Sequence, residues 1–447
     1  VRGAHRQESL FGGRRMQMDE SIAMTIASVV EYGQRHRHWA IAWSGGKDST
    51  TLLTLVVYLI LAGKVPAPQT LTVLYADTRL ELVPLWDAAR AIRDELAEHA
   101  DALAAVGTRL DVRVVMAPLD ERFLVYMLGR GVPPPNNNTL RWCTAQIKIE
   151  PMARALEAVA IELGLGAMVR VEKKVNGRLE ARDVYRGHGA EKLLVLTGVR
   201  QGESAVRDGR IALSCTRDGG ECGQGWYQED LPDALCDTLA PILHWRICHV
   251  WEWLCHWATQ VAFGDWTGTK LIALAYGGRD GDEASEIGAR TGCTGCPLAE
   301  EDTALDAILK LVEWAYLAPL KELRPLWREL RLPRNRLRKP GGETRKDGTL
   351  VKNQQRMGPL VFEARLRALD LVLDIQRRVN TAADRQERPR VDLINAEEEA
   401  RIRELIAAET WPNKWTGEEP TADVMLDQYN ADGSIQPLLF EALRGTR

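Results

Sequence analysis

The 447-residue sequence lacks any apolar run long enough to span a bilayer. Its longest candidates, residues 52–62 and 71–76, fall well short of the roughly 20 apolar residues that a membrane helix needs. Neither sign of charge dominates: 58 Lys and Arg face 62 Asp and Glu, a formal net charge of −4. No global polycation announces nucleic acid, so such a partner must be met by a local patch. Eight cysteines are too few for a disulfide scaffold in a chain of this size, and clustered ones are read first as metal or catalytic groups. Residues 1–20 carry no contiguous apolar core of the kind a secretory signal has, so a reducing cytoplasm is the expected compartment. There is no internal repeat.

What is present is an ordinary globular composition, 45% hydrophobic, in which strand and helix signals alternate. Residues 19–36 read as a helix, 39–43 as a buried strand, 49–61 as a helix and 71–76 as a strand. An amphipathic helix at 83–98, a strand at 112–117, a helix at 154–163, a strand at 192–197 and a Trp-rich helix at 247–259 follow. Strands separated by helices of this length pair in parallel through crossovers, so the expected fold is α/β, a parallel sheet with flanking helices. Residues 129–144 read as a loop from their prolines and asparagines. Beyond 301 the strand signals stop, and helices are expected at 301–330, 359–380 and 396–409 around a basic, Gly- and Pro-containing stretch at 331–358. The expected division is a helical extension at 1–37, a sheet domain at 38–300 and a helical C-terminal region at 301–447.

The stretch "SGGKDST" lies at the first strand-to-helix junction. A helix N-terminus carries unpaired amides and roughly half a positive charge, so a tight glycine turn feeding one is an anion site. Gly45 and Gly46 allow close backbone approach, Lys47 adds a charge, and Ser44, Ser49 and Thr50 add hydroxyls. Neither the Walker spacing nor G-x-G-x-x-G fits. The plain alternative is a tight turn with an incidental lysine. S-G-G-K-D-S resembles instead the PP-loop of ATP pyrophosphatases, which cleave ATP between the α and β phosphates.

Further stretches occur in a fixed order: "ADTRLELVP" at 76–84, "RWCTAQIKIEP" at 141–151, "GVRQGESAVR" at 198–207, "PILHWRICHVWEWL" at 241–254 and "GCTGC" at 292–296. Together they resemble the phosphoadenosine phosphosulfate reductase superfamily, most closely its DndC/SspD branch, the ATP pyrophosphatase of bacterial DNA phosphorothioation. The resemblance covers residues 38–300, with an echo in "VDLINAEEEARIREL" at 391–405. It implies that the loop grips the β and γ phosphates of ATP with Mg2+, while an acceptor attacks the α phosphorus. Lys47 and Asp48 would then act in catalysis with Arg200 and Arg207, and Asp77, Thr78, Glu203 and Ser204 would join the nucleotide site. Asp77-Thr78 as a strand cap and the 200–207 segment as a surface Glu–Arg network are the plain alternatives. Arg141 and Lys148 flank Cys143 and suit nucleotide or DNA phosphates.

Cys293-Thr-Gly-Cys296 alone is ambiguous among zinc, iron–sulfur and redox use. In the family it resembles, such cysteines hold a 4Fe-4S cluster. The resemblance implies Cys143, Cys293 and Cys296 as ligands, with Cys222 in the glycine-rich "DGGECGQG" as the fourth and Cys215 as the runner-up. The branch's extra cysteines before the final pair are absent from 277–291. A structural zinc site or free thiols are the alternatives. Cys236, Cys248 and Cys255 are expected to be structural.

Fourteen tryptophans are many for this length, and Trp253 and Trp257, four apart on a helix, are expected to pack against the sheet, with His244, His249 and His256 as packed or surface partners. Residues 324–346 hold nine basic side chains against two acidic ones, the best candidate nucleic-acid contact, with a solvated loop or protein surface as the alternative. The resemblance implies a cysteine desulfurase as sulfur donor, and DNA and other phosphorothioation-complex proteins as partners, with no membrane. A sulfonucleotide reductase, an RNA-thiolating enzyme and a non-catalytic nucleotide-binding subunit are the competing readings.

Overall fold

The stretches HWAIAW, TLTVLYA and LLVL are buried almost throughout, the pattern of parallel strands covered on both faces by helices. In the computed structural model, residues 17–136, 140–175, 178–187, 191–202, 220–221, 226–228, 234–276, 293–412, 414–430 and 432–437 are described. The chain divides into two units, one formed by Val1–Asp77, Pro84–Val115 and Met152–Thr291, the other by Thr78–Val83, Met116–Pro151 and Gly292–Arg447. The segments bearing Cys143, Cys293 and Cys296, expected within 38–300, are thus grouped with the C-terminal residues. Among the described residues no helix is long and apolar enough to cross a membrane.

The first unit is an α/β sheet. Its strands are β1 (His38–Trp43), β2 (Thr70–Ala76), β3 (Arg109–Val115), β6 (Leu193–Leu196) and β9 (Cys236–Ala240), all parallel. Short antiparallel strands β7 (Gly220–Glu221) and β8 (Trp226–Gln228) extend one edge, giving the order β3-β2-β1-β6-β9-β8-β7. A separate hairpin pairs β4 (Gly166–Val175) with β5 (Arg178–Gly187). The chain therefore builds outward from β1 through β2 to β3, then returns to the other side of β1 with β6. The gap between the carboxyl ends of β1 and β6 is the switch point at which sheets of this kind bind ligands.

Helices α1 (Met18–Gly33), α2 (Lys47–Leu61) and α3 (Val83–Glu98) follow the expected positions. Gly33 closes α1 where a Cβ would stand 2.5 Å from the Trp39 ring. Trp39, Trp43, Trp245 and Trp253 are fully buried, and truncating rings of this size costs ~3–5 kcal/mol each. Their indoles are satisfied locally: Trp43 Nε1 donates to Thr50 Oγ1 at 2.8 Å, Trp253 Nε1 to Thr54 Oγ1 at 2.9 Å and Trp245 Nε1 to Thr25 Oγ1 at 3.0 Å. The expected Trp-rich helix runs as Ile247–Glu252 and then widens into a π turn at Trp253–Trp257. His249 packs on Ser21, their Nδ1 and Oγ atoms 3.2 Å apart, and His244 Nε2 lies 2.9 Å from the Ser21 carbonyl, as packed partners should. The hairpin β4–β5 and strand β9 were not foreseen, because their polar or short sequences carry no apolar run of strand length.

The second unit is mainly helical, with Thr303–Ile308, Leu323–Leu330, Phe362–Arg385 and Ala396–Ala407 as α-helices. The expected helix at 301–330 is interrupted by 3-10 turns at Val312–Glu322, which contain Pro319. The stretch at 331–358 is more ordered than a loop, since Arg336–Arg338 pairs antiparallel with Met357–Leu360. Arg365 is fully buried between the rings of Phe362 and Trp411 and donates to the carbonyls of Leu360, Gly129 and Thr410.

Gly198, just beyond β6, meets the first turn of α2 so closely that a Cβ would lie 2.8 Å from Ser49 N and 2.9 Å from the Asp48 carbonyl oxygen. Gly198→Ala is expected to lower the unfolding free energy by ~1–3 kcal/mol in a urea titration. An unchanged midpoint would show that the two backbones do not touch.

Candidate functional site

The chain leaves β1 at Trp43 and enters α2 at Lys47 through Ser44, Gly45 and Gly46. Gly45 has φ +72°, and a Cβ there would meet the Ala89 methyl and the Tyr75 ring, each at 3.3 Å. Gly46 is the extended N-cap residue, and having no side chain it leaves the first amides of α2 uncapped. Ser49 braces the turn: its hydroxyl donates to the Gly46 carbonyl at 3.1 Å and accepts from Ser44 N at 3.2 Å, with Ser44 Oγ 3.1 Å away. Thr50, expected to offer a hydroxyl to the nucleotide, is fully buried and accepts from Trp43 instead.

Three charges converge beside the turn. Lys47 Nζ lies 3.1 Å from Asp48 Oδ2, and Arg200 Nε donates to Asp48 Oδ1 at 2.6 Å. Arg200 is 5% exposed and donates also to the Trp245 carbonyl at 3.2 Å, so its guanidinium is fixed at both ends. Lys47 Nζ stands 5.1 Å from the centre of the Tyr276 ring. Burial opposes ionisation of Asp48, yet the charges of Lys47 and Arg200, with their hydrogen bonds, hold its carboxyl below the usual carboxylate range. The glycine turn and the 198–207 segment, expected on the same rim of the sheet, meet through the Asp48–Arg200 pair. Arg207, Glu203 and Ser204 lie outside the described residues.

Asp77 follows β2, its amide bonded to the Val115 carbonyl at 2.9 Å. Thr78 begins the second unit and donates through its hydroxyl to Glu81 Oε1 at 2.5 Å. Gly198 and Tyr276 were not singled out from the sequence. A glycine just past a strand marks close backbone approach and could have flagged the first, whereas nothing local distinguishes the second.

In the second unit Cys143 lies in the helical turn Trp142–Thr144, and Cys293 and Cys296 form a tight turn closed by a 3.0 Å bond from Cys296 N to the Cys293 carbonyl. Gly295 within it has φ +60°, and its carbonyl accepts from Trp327 Nε1 at 2.9 Å. Thr294 N donates to the Leu80 carbonyl at 2.6 Å and Thr294 Oγ1 to that of Glu81 at 3.0 Å. The three thiols lie within electrostatic reach of one another and of Lys148. Burial pushes the Cys293 thiol up to about 11, with Lys148 pulling it down and Glu81 and the other two cysteines pushing it up. Burial also raises Cys143. Among the described residues, no three or more His, Cys, Asp or Glu groups close on a point as ligands of a single metal ion do. A 4Fe-4S cluster binds its thiolates on separate irons, and a trio of neighbouring thiols beside a cation suits that donor chemistry. Cys222 and Cys215 lie outside the described residues, while Cys236, Cys248 and Cys255 are partly buried.

Much of the basic stretch serves structure. Arg331 donates to the carbonyls of Pro135 and Pro297, tying together the approaches to Cys143 and Cys296. Arg336 donates to the Gly358 carbonyl at 2.9 Å, and burial lowers its pKa to about 10. Lys339 is 8% exposed and pairs with Glu419 at 2.5 Å. Arg334, Arg345 and Lys346 remain exposed.

Removing one partner of a buried ion pair leaves the other uncompensated, a loss of ~3–5 kcal/mol. Asp48→Asn is expected to lower stability at neutral pH, with a discount for the partial exposure of the carboxylate. Because the folded-state pKa of Asp48 is depressed, its contribution is present above the unfolded value and lost as pH falls through the folded value. The stability gap between wild type and Asp48→Asn should therefore close in acid, and urea titrations at neutral and acidic pH read it. In metal-free protein Cys293 should resist alkylation at about the ordinary thiol pKa of 8.5, and fast labelling there would contradict its burial.

No protein-family profile matches the chain, and no curated protein matches it. Among solved structures, a match is the U34-tRNA thiolase NcsA from Methanococcus maripaludis with its 4Fe-4S cluster, at 12% identity and a TM-score of 0.30, covering 72% of this chain and 82% of that one. A likeness at that level carries no argument about the site, which rests on its own residues.

Proposed function

We propose that the chain is an enzyme, an ATP pyrophosphatase and sulfurtransferase that activates a non-bridging oxygen of a DNA backbone phosphate for replacement by sulfur. The observation that carries this reading is the uncapped Gly45–Gly46 turn with Lys47 beside it and the Asp48–Arg200 pair behind it, at the switch point of a parallel sheet. The choice of acceptor comes from the ordered motifs that resemble the DndC/SspD branch.

ATP is taken to arrive as its Mg2+ complex, with the β and γ phosphates on the turn amides. Lys47 and the positive end of α2 neutralise the departing pyrophosphate. Asp48, held ionised by two cations, is suited to positioning Lys47 rather than to accepting a proton. The acceptor oxygen attacks the α phosphorus, the α–β bridging bond breaks and pyrophosphate leaves, so that AMP is joined to the DNA phosphate. A persulfide sulfur from a cysteine desulfurase then attacks the DNA phosphorus, and AMP departs with the former non-bridging oxygen. A second thiol opens the remaining S–S bond, leaving the phosphorothioate and a disulfide. Cys143, Cys293 and Cys296 are proposed to hold a 4Fe-4S cluster, with Cys222 as the fourth ligand, which when bound supplies iron as a sulfur-binding or redox centre.

Incubation with ATP, Mg2+, a persulfide donor and DNA should release pyrophosphate and AMP. Lys47→Met should reduce the release by ~100-fold or more, the scale of losing one oxyanion-stabilising group. Release that depends on tRNA instead of DNA would move the acceptor to RNA, and thioredoxin-dependent reduction of a sulfonucleotide without ATP cleavage would overturn the proposal. ATP binding without turnover on any acceptor would leave only a nucleotide-binding subunit. Protein prepared without oxygen should contain iron and absorb broadly in the visible, whereas stoichiometric zinc in a colourless protein would remove the cluster.

A further inference from the structure

Helix α3 carries three side chains to which the reaction above gives no role. At roughly 100° per residue, Trp86, Arg90 and Arg93 fall within about 60° of one another on one flank of the helix. Its core face is marked by the buried Leu85, Ala88, Ile92 and Leu96. Ala89 lies between that face and the flank, and a Cβ built on Gly45 of the phosphate turn would stand 3.3 Å from its methyl. The Trp86–Arg93 flank is therefore the side of α3 on which the turn sits.

Arg93 is half-buried, and among the described residues its guanidinium has no hydrogen-bond or ion-pair partner. It lies over the Tyr75 ring, 6.0 Å from guanidinium carbon to ring centre. That same ring approaches the turn, 3.3 Å from the position of a Gly45 Cβ. Two turns back, Trp86 is 39% exposed and Arg90 lies over its ring at 5.5 Å while also pairing with Asp87 at 2.8 Å. An exposed indole with a guanidinium on its face, followed by a half-buried guanidinium that has no carboxylate partner among the described residues, combines a stacking surface with sites for phosphate oxygens. Single-stranded nucleic acid is recognised by that combination of base stacking and backbone contacts.

We propose that Trp86, Arg90 and Arg93 form the landing surface for the acceptor strand, with an unstacked base on Trp86 and backbone phosphates on the two arginines, leading the strand toward the ATP turn. This rests on the proposed function only for the identity of the strand as acceptor. The binding surface itself stands on the half-buried Arg93 over Tyr75 and the exposed Trp86 with Arg90 on its ring, on the flank of α3 beside Gly45.

The test measures binding of short, labelled single-stranded DNA and RNA by fluorescence anisotropy over a range of salt concentrations, with ATP binding followed by calorimetry. Trp86→Ala should weaken strand binding by about 5- to 100-fold, the range of one base–aromatic stack. Arg93→Gln and Arg90→Gln should each reduce the slope of log affinity against log salt by about one phosphate contact. ATP affinity and thermal midpoint should stay at the wild-type values in all three variants. Strand affinity and salt slope at wild-type values in Trp86→Ala and Arg93→Gln would overturn the proposal, as would a wild-type protein that binds neither DNA nor RNA. If Arg93→Gln disturbs folding, Arg90→Gln, at the exposed position, decides by its slope. A wild-type protein that binds the strand here but releases no pyrophosphate would remove the proposed reaction and leave the surface standing.

Discussion

Asp48 lies between Lys47 Nζ at 3.1 Å and Arg200 Nε at 2.6 Å, and this contact ties the first turn of α2 to the segment that follows β6. Neither cation is exposed enough for water to take over its pairing. The carboxylate therefore sets where both stand, one beside the glycine turn and the other against the Trp245 carbonyl. The contact depends in turn on Gly198, whose missing side chain lets the two backbones meet. Without that approach, the switch point would be a gap in the sheet with a helix end facing water.

The core beneath the turn is arranged to hold α2 in place. Buried threonines on α2 appear poorly suited to a helix interior by propensity alone. Here Thr50 and Thr54 accept from the indoles of Trp43 and Trp253, so the same residues satisfy polar atoms that the large rings would otherwise bury unpaired. The buried Trp39, Trp43, Trp245 and Trp253 are thus a packing feature of the sheet unit. The exposed Trp86 differs from these residues in facing solvent beside a guanidinium.

The second unit uses its arginines in a different way from what their density suggests. Arg331 spends its charge on two carbonyls that flank the cysteine segments, and Arg365 is enclosed by two aromatic rings with three carbonyls as acceptors. Burial lowers the pKa of Arg365 to about 9, the consequence of a cation enclosed without a carboxylate. Such residues hold loops together, and only part of a basic run in sequence is left to meet a phosphate backbone. The thiols of Cys143, Cys293 and Cys296 share their surroundings with Lys148, which flanks Cys143 in sequence, and with Glu81, which no spacing connects to them.

The sequence by itself determined the parallel α/β sheet, because long apolar strands alternating with amphipathic helices leave few other ways to bury their faces. It also determined the glycine turn at the start of α2, since a strand, two glycines, a lysine and a helix start are a local arrangement that needs no distant partner. Helix limits were less legible where tertiary packing extends or breaks them, as at the π turn of Trp253–Trp257 and the 3-10 turns at Val312–Glu322. Only the tertiary structure decided that Thr50 belongs to the core, that Arg331 and Lys339 are internal struts, and that Arg93 lies over the Tyr75 ring on the side of α3 that faces the turn. Those outcomes depend on which groups meet across tens or hundreds of residues. A side chain's charge and hydrogen-bonding capacity are written in the sequence, but the partner that uses them is chosen by the packing.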